Sequence, residues 1–161
     1  MVVEARRAAS NELAQRERGG IEPPGDVYGI MRLAYPAAFL LMIVEHALQV
    51  LQLLQRDPVH AAVLAGLALF VAAKALKWWA ILTLGSSWTF RVIVVPGAPL
   101  VSGGPYRFLR HPNYLSVIGE LAGAALMAGA RISGPIAIVG FGLLILKRIA
   151  VEERALRNLR T

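Results

Sequence analysis

Two short stretches of this chain concentrate the side chains that bind and polarise small molecules. The first, Gly103-Gly104-Pro105-Tyr106-Arg107-Phe108-Leu109-Arg110-His111-Pro112-Asn113-Tyr114, joins a turn that permits close backbone approach to a polar helix start. Pro112 suits the first helical position, where its missing N–H costs nothing. The N–H groups of that first turn, with Arg107 and Arg110 nearby, make a natural site for a carboxylate or phosphate. Tyr106 and Tyr114 offer flat faces to a purine and hydroxyls to a ribose. The same composition also fits a plain interfacial anchor, because Arg, His and Tyr gather at lipid headgroups. The second stretch is Lys147-Arg148-Ile149-Ala150-Val151-Glu152-Glu153-Arg154, in which Arg148 and Glu152 share a helix face at i,i+4. As an exposed pair they would contribute only about 0.3–0.5 kcal/mol, and Arg before Glu is the weaker order. Set against the first stretch, Glu152 can accept hydrogen bonds from a ribose or amine, and Arg148 can hold an anionic oxygen.

The elements that must position these residues are apolar. Of the 161 residues 57% are apolar, above the ~45–50% of a soluble domain, and the mean hydropathy is +0.57. The excess falls in runs. One goes from Tyr28 to Leu54, broken only by Arg32, Pro36, Glu45, His46 and a few Gln. Arg56-Asp57-Pro58 forms a turn, and a second run covers 59–84, with Lys74, Lys77, Trp78 and Trp79 giving its end the composition of a membrane interface. Residues 85–112 are rich in Gly, Pro and Arg and read as a loop in water or at the headgroups. A third run spans 113–130, Arg131-Ile132-Ser133-Gly134-Pro135 turns the chain, and a fourth spans 135–150 before a charged helical tail over 147–161. At 1.5 Å per residue these runs predict an all-α integral membrane bundle with about four transmembrane helices. The N-terminal segment, the 85–112 loop and the tail hold nearly all Lys and Arg. They are therefore expected together on the cytoplasmic face, in a bacterial inner membrane. Residues 1–26 are polar, carry no secretory h-region, and read as a surface helix or a disordered segment ahead of a domain over 27–161.

Charge and composition exclude other classes. A net charge of +7 suits anionic phospholipid better than nucleic acid, since the apolar runs leave little soluble surface for a basic groove. The absence of cysteine removes disulfides, thiolate catalysis and Cys-based metal sites, and Glu45-His46 and His60 have no companion ligands for a metal. Glu45, His46 and Glu120 fall inside apolar runs, where ionisable groups need a partner or a wet cavity. Glu120 is expected to pair with His46 or Lys74, or to contact the polar end of a substrate. An alternative function uses Glu45 or Glu120 as the coupling charge of a small four-helix transporter or scaffold. Short spans bury little surface alone, which makes a homodimer compatible with the sequence.

Together the two polar stretches resemble the isoprenylcysteine carboxyl methyltransferase family, including its short bacterial relatives. The resemblance rests on Gly104-Pro105-Tyr106-Arg107, on Arg110-His111-Pro112-Asn113-Tyr114 and on Arg148…Glu152-Glu153, from Ser87 onward. It implies a membrane enzyme whose C-terminal half binds S-adenosylmethionine and releases S-adenosylhomocysteine. Carried over by position, Ala98, Pro99, Leu100, Val101, Tyr106, His111, Pro112, Asn113, Tyr114 and Glu152 contact the cofactor, and Arg148 faces a lipophilic or prenylated substrate. Arg91 stands near the place where the family has a Gln. An ionised carboxylate acceptor needs no base, whereas a phenol, with a pKa of ~10, needs a base or a cation beside it. His111 is the candidate base and Arg148 the candidate cation.

Overall fold

In the computed structural model residues 2–51 and 60–158 are described, so the Arg56-Asp57-Pro58 turn lies outside the described residues. Five helices make up the fold: α1 (Val2–Glu17), α2 (Tyr28–Leu51), α3 (His60–Leu84), α4 (Pro112–Ala128) and α5 (Ser133–Asn158). Among the described residues there is no β-strand, only one antiparallel bridge between Ile21 and Val94. The expected all-helical membrane architecture is what the chain adopts. The last apolar run and the charged tail form one continuous helix, α5.

Among the described residues, three helices are long and apolar enough to cross a membrane: α2, α3 extended to Ser87, and α5. The third apolar run gives a shorter helix than expected, because Gly129 at φ +62° ends α4 after 17 residues. At 1.5 Å per residue that is ~26 Å, against ~30 Å of hydrocarbon. α4 lies against α2, α3 and α5, most extensively against α3. Gly66, Gly119 and Gly123 permit that approach: a Cβ on Gly123 would lie 2.8 Å from Gly66 O, and one on Gly119 2.9 Å from Ala73 Cβ. Small residues at this spacing are the usual device for close helix contact in lipid. The apolar core between α2, α4 and α5 contains Met31, Met42, Val117, Leu121, Phe141 and Ile145. Large apolar side chains such as Leu40, Leu64 and Leu143 are exposed, as expected of lipid-facing surfaces.

α1 is docked on the 85–91 segment. Asn11 Nδ2 donates to Gly85 O at 3.0 Å and Trp88 O at 2.7 Å, and Gln15 Nε2 donates to Ser86 O at 2.8 Å. Ala8 packs with Ile81 and Trp88. Beyond α1, Ile21 and Val94 exchange N–H···O bonds of 2.9 and 3.0 Å. The N-terminal segment, the central loop and the end of α5 are thereby gathered at one end of the bundle.

Candidate functional site

A cavity of about 1110 Å³ opens at that end, walled by α1, the 87–102 segment and the facing ends of α2, α4 and α5. It is lined by Ala98, Pro99, Leu100, Val101, Tyr106, His111, Asn113, Tyr114, Arg148 and Glu152, which the sequence singles out from three separate stretches. Of the remaining expected residues, Pro112 is buried at the first position of α4. Glu120 lies deeper, behind Lys77 and Tyr35, which do line the cavity. The cavity has two ends. Tyr106, His111, Asn113, Glu152 and Glu153 line it near the start of α4 and the end of α5, whereas Tyr35, Pro36, Val117 and Phe141 line it further along their helices.

Arg148 stands between the two ends. Its side chain is 7% exposed, and its donors are arranged on three sides. Nε donates to Tyr114 Oη at 2.9 Å, Nη2 to the Phe90 carbonyl, and Nη1 lies 3.3 Å from Asp26 Oδ1. Tyr114 passes the connection on, its hydroxyl donating to Glu152 Oε2 at 2.9 Å. The i,i+4 pair on α5 is therefore joined through a tyrosine from α4 rather than by direct contact. The His111 ring stacks on Tyr114 with centroids 5.5 Å apart, and its Nε2 is 3.7 Å from Glu153 Oε1. Burial, and then the nearby Glu152 charge, push the Tyr106 phenol above its usual value, so it stays protonated. Asn113 and Trp88 line the cavity, but Asn113 Oδ1 and Trp88 Nε1 are themselves buried away from it and have no hydrogen-bond partner among the described residues.

The Gly-Gly-Pro turn makes its close approach to α3. Gly104, at φ +54°, sits so tightly on Thr83 and Trp79 that no Cβ fits. At the start of α4, the Tyr114 N–H donates back to His111 O at 3.1 Å, and Pro112 has none to give. The anion-binding donors expected there are thus fewer than the sequence suggests.

The intramembrane acids have other duties. Glu120 is fully buried, 3.1 Å from Lys77 Nζ, 3.2 Å from Lys74 Nζ, and bonded to Tyr35 Oη. Glu4 of α1 lies 3.5 Å from both lysines and completes a balanced group of two carboxylates and two ammoniums. The expected Glu120–Lys74 pairing is present. His46, the other expected partner, bonds to Ala128 O at 2.9 Å instead, because it lies three turns beyond Tyr35 on α2. Glu45 accepts bonds from the N–H groups of Arg131, Ile132 and Ser133 at 2.8, 3.1 and 2.7 Å, capping α5 from a neighbouring helix. Both acids on which a transporter reading draws are committed to internal partners.

Sequence reasoning passed over Asp26 and the cavity-lining face of α1. The α1 residues that line the cavity are Glu4, Ala5, Ala9, Glu12 and Gln15, while Glu4, Ala8, Asn11 and Gln15 form a docking face with almost no apolar residue. Arg91 forms ion pairs with Glu22 at 2.6 Å and Glu12 at 3.7 Å.

Residues 66–158, from the second turn of α3 to the end of α5, match the isoprenylcysteine carboxyl methyltransferase family. The chain belongs to that family. It is thus a membrane methyltransferase in general terms, and members of the family use S-adenosylmethionine. The chain is 29% identical over 151 residues to the uncharacterized protein YpbQ of Bacillus subtilis, covering 94% of this chain and 86% of that one. It is 30% identical over 95 residues to an uncharacterized protein of Haemophilus influenzae, covering 58% and 55%. No solved structure matches it significantly.

Proposed function

We propose that the cavity holds S-adenosylmethionine at its polar end and a lipophilic acceptor at its apolar end, and that the protein is an O-methyltransferase. The observation that carries this reading is the chain Arg148–Tyr114–Glu152, which lines one cavity between its two ends and is anchored outside it by Asp26. Pockets for one drug-sized ligand run from roughly 300 to 1,000 Å³, and this cavity of about 1110 Å³ lies above that range. The residues fit the cofactor chemically. Tyr106 offers a flat face, while the Glu152 carboxylate can take hydroxyl or ammonium hydrogens.

Bound there, the cofactor supplies a methyl group on a sulfonium with a good leaving group. What the chain must add is alignment and exclusion of water. Tyr114, fixed between Arg148 and Glu152, keeps the polar end rigid. Arg148 directs guanidinium hydrogens toward the junction, where they orient an acceptor oxygen. Because Asp26 pairs with Arg148, the two bring no net positive charge, which favours an acceptor that arrives as a neutral phenol over a carboxylate. His111, with Glu153 beside Nε2, is placed to take the phenolic proton. Tyr35, Pro36, Val117 and Phe141 accommodate the apolar part of the acceptor from the membrane side.

In this reading α4 is the fourth span, running antiparallel to α3. The gathered basic regions then face the cytoplasm by the positive-inside rule. The test is transfer of labelled methyl from S-adenosylmethionine to a long-chain alkylphenol and to an S-prenylcysteine, wild type beside Arg148→Ala. Transfer to either acceptor that the substitution abolishes supports the reading. Transfer unaffected by it removes Arg148 from the mechanism.

A further inference from the structure

We propose that Asp26 is a positioning residue for Arg148, holding the guanidinium at the junction of the two cavity ends; for catalysis, this rests on the function proposed above. Asp26 precedes α2, far from α5 in sequence, yet its side chain is only 5% exposed and every contact it makes is specific. Oδ1 accepts the Tyr28 N–H at 3.0 Å, a turn in which a side chain binds its own backbone two residues on. Oδ2 accepts the Val92 N–H at 2.9 Å, tying the carboxylate to the central loop. The remaining face of Oδ1 meets Arg148 Nη1 at 3.3 Å. Three segments distant in sequence are therefore fixed to one carboxylate.

Arg148 shows what this fixing does. A guanidinium is a planar fork, and holding two of its corners sets the direction of the others. Tyr114 takes Nε, the Phe90 carbonyl takes Nη2 and Asp26 takes Nη1. Nη1 also approaches Met31 Sδ at 3.9 Å, a weak acceptor. Without Asp26 the buried charge has no counter-ion on that side, and a buried cation left unpaired moves to find one. Glu152 is the nearest alternative through Tyr114. A swing toward it would withdraw the guanidinium from the acceptor end.

The positioning role separates from a turn-forming role by the pattern of two substitutions. Asp26→Asn keeps the side-chain-to-backbone turn and removes the charge, whereas Asp26→Glu keeps the charge and strains the turn. Arginine side-chain NMR on detergent-solubilised protein, with Arg148 located by the signals lost in Arg148→Lys, reads the guanidinium without any ligand. The proposal expects Arg148 Nη hydrogens in slow exchange in the wild type, collapsed in Asp26→Asn, and recovered at least in part in Asp26→Glu. Turnover with a long-chain alkylphenol should fall about tenfold or more in Asp26→Asn, with affinity for S-adenosylhomocysteine within about threefold. Freely exchanging Nη hydrogens in the wild type overturn the proposal, even if neither variant folds. So does the reverse pattern, with Asn like wild type and Glu defective. If the wild type binds no S-adenosylhomocysteine while Arg148 shows the expected signals, the methyltransferase reading falls and the Asp26 pairing stands.

Discussion

Two groups of buried charge lie close together in this protein, and they do opposite things. Glu4, Lys74, Lys77 and Glu120 neutralise one another at 3.1–3.5 Å and join α1, α3 and α4. Asp26, Arg148, Tyr114 and Glu152 are bound end to end as a chain, and Arg148, Tyr114 and Glu152 present atoms to the cavity. The first group is held together by mutual ion pairing across three helices, although its Glu4 and Lys77 also border the cavity. The second is ordered by backbone groups at Tyr28, Phe90 and Val92, which leaves its side chains aligned along a wall that a ligand can reach. An ionisable residue inside a membrane bundle is therefore a weak pointer to function until the direction of its free atoms is known.

Substitutions should separate the two groups. The largest effect is expected from Glu120→Ala, which leaves Lys74 and Lys77 with one carboxylate between them and should cost about 3–5 kcal/mol. A thermal melt in detergent reads this, and an unchanged melting temperature would mean that the cluster is not structural. Arg148→Ala should leave the fold intact and lower turnover by about a hundredfold or more, an effect on the scale of losing a transition-state donor. Glu45→Ala tests the comparison at the opposite end of the bundle, where only a helix cap is at stake. It should cost about 1–2 kcal/mol with turnover unchanged in the protein that remains folded.

The smallest effect is a pH dependence of α1 docking. Partial burial alone would raise the Glu22 carboxyl, but hydrogen bonds and charge from Arg91 and Arg16 hold it below its usual 4.5. A carboxyl lowered in the folded state contributes stability above its unfolded pKa and loses it as pH falls through the folded value. Proteolysis between α1 and α2 should therefore accelerate only below about pH 4.5, and Glu22→Gln should remove that dependence.

The sequence made much of the bundle legible because lipid imposes a simple rule, that apolar runs become helices and polar runs stay outside. Residues 98–101, 106, 111–114, 148 and 152 were legible as a group for another reason: their types and order carry the family resemblance, and the fold brings nearly all of them to one cavity. α1 was not legible, since its docking face uses Glu4, Asn11 and Gln15 rather than an apolar stripe. Nor was Asp26, which follows Pro23-Pro24-Gly25 and looks like an ordinary turn residue until Arg148 is placed against it. The extent of α4 turned on Gly129, whose left-handed conformation closes the helix two residues before the apolar run ends.

The most direct test of the central claim is calorimetric binding of S-adenosylhomocysteine to detergent-solubilised protein, wild type beside Glu152→Ala. The account predicts saturable binding to the wild type and its loss on removing the Glu152 carboxylate, with an unchanged thermal melt. A folded wild type that binds nothing, or a Glu152→Ala variant that binds equally well, would contradict it.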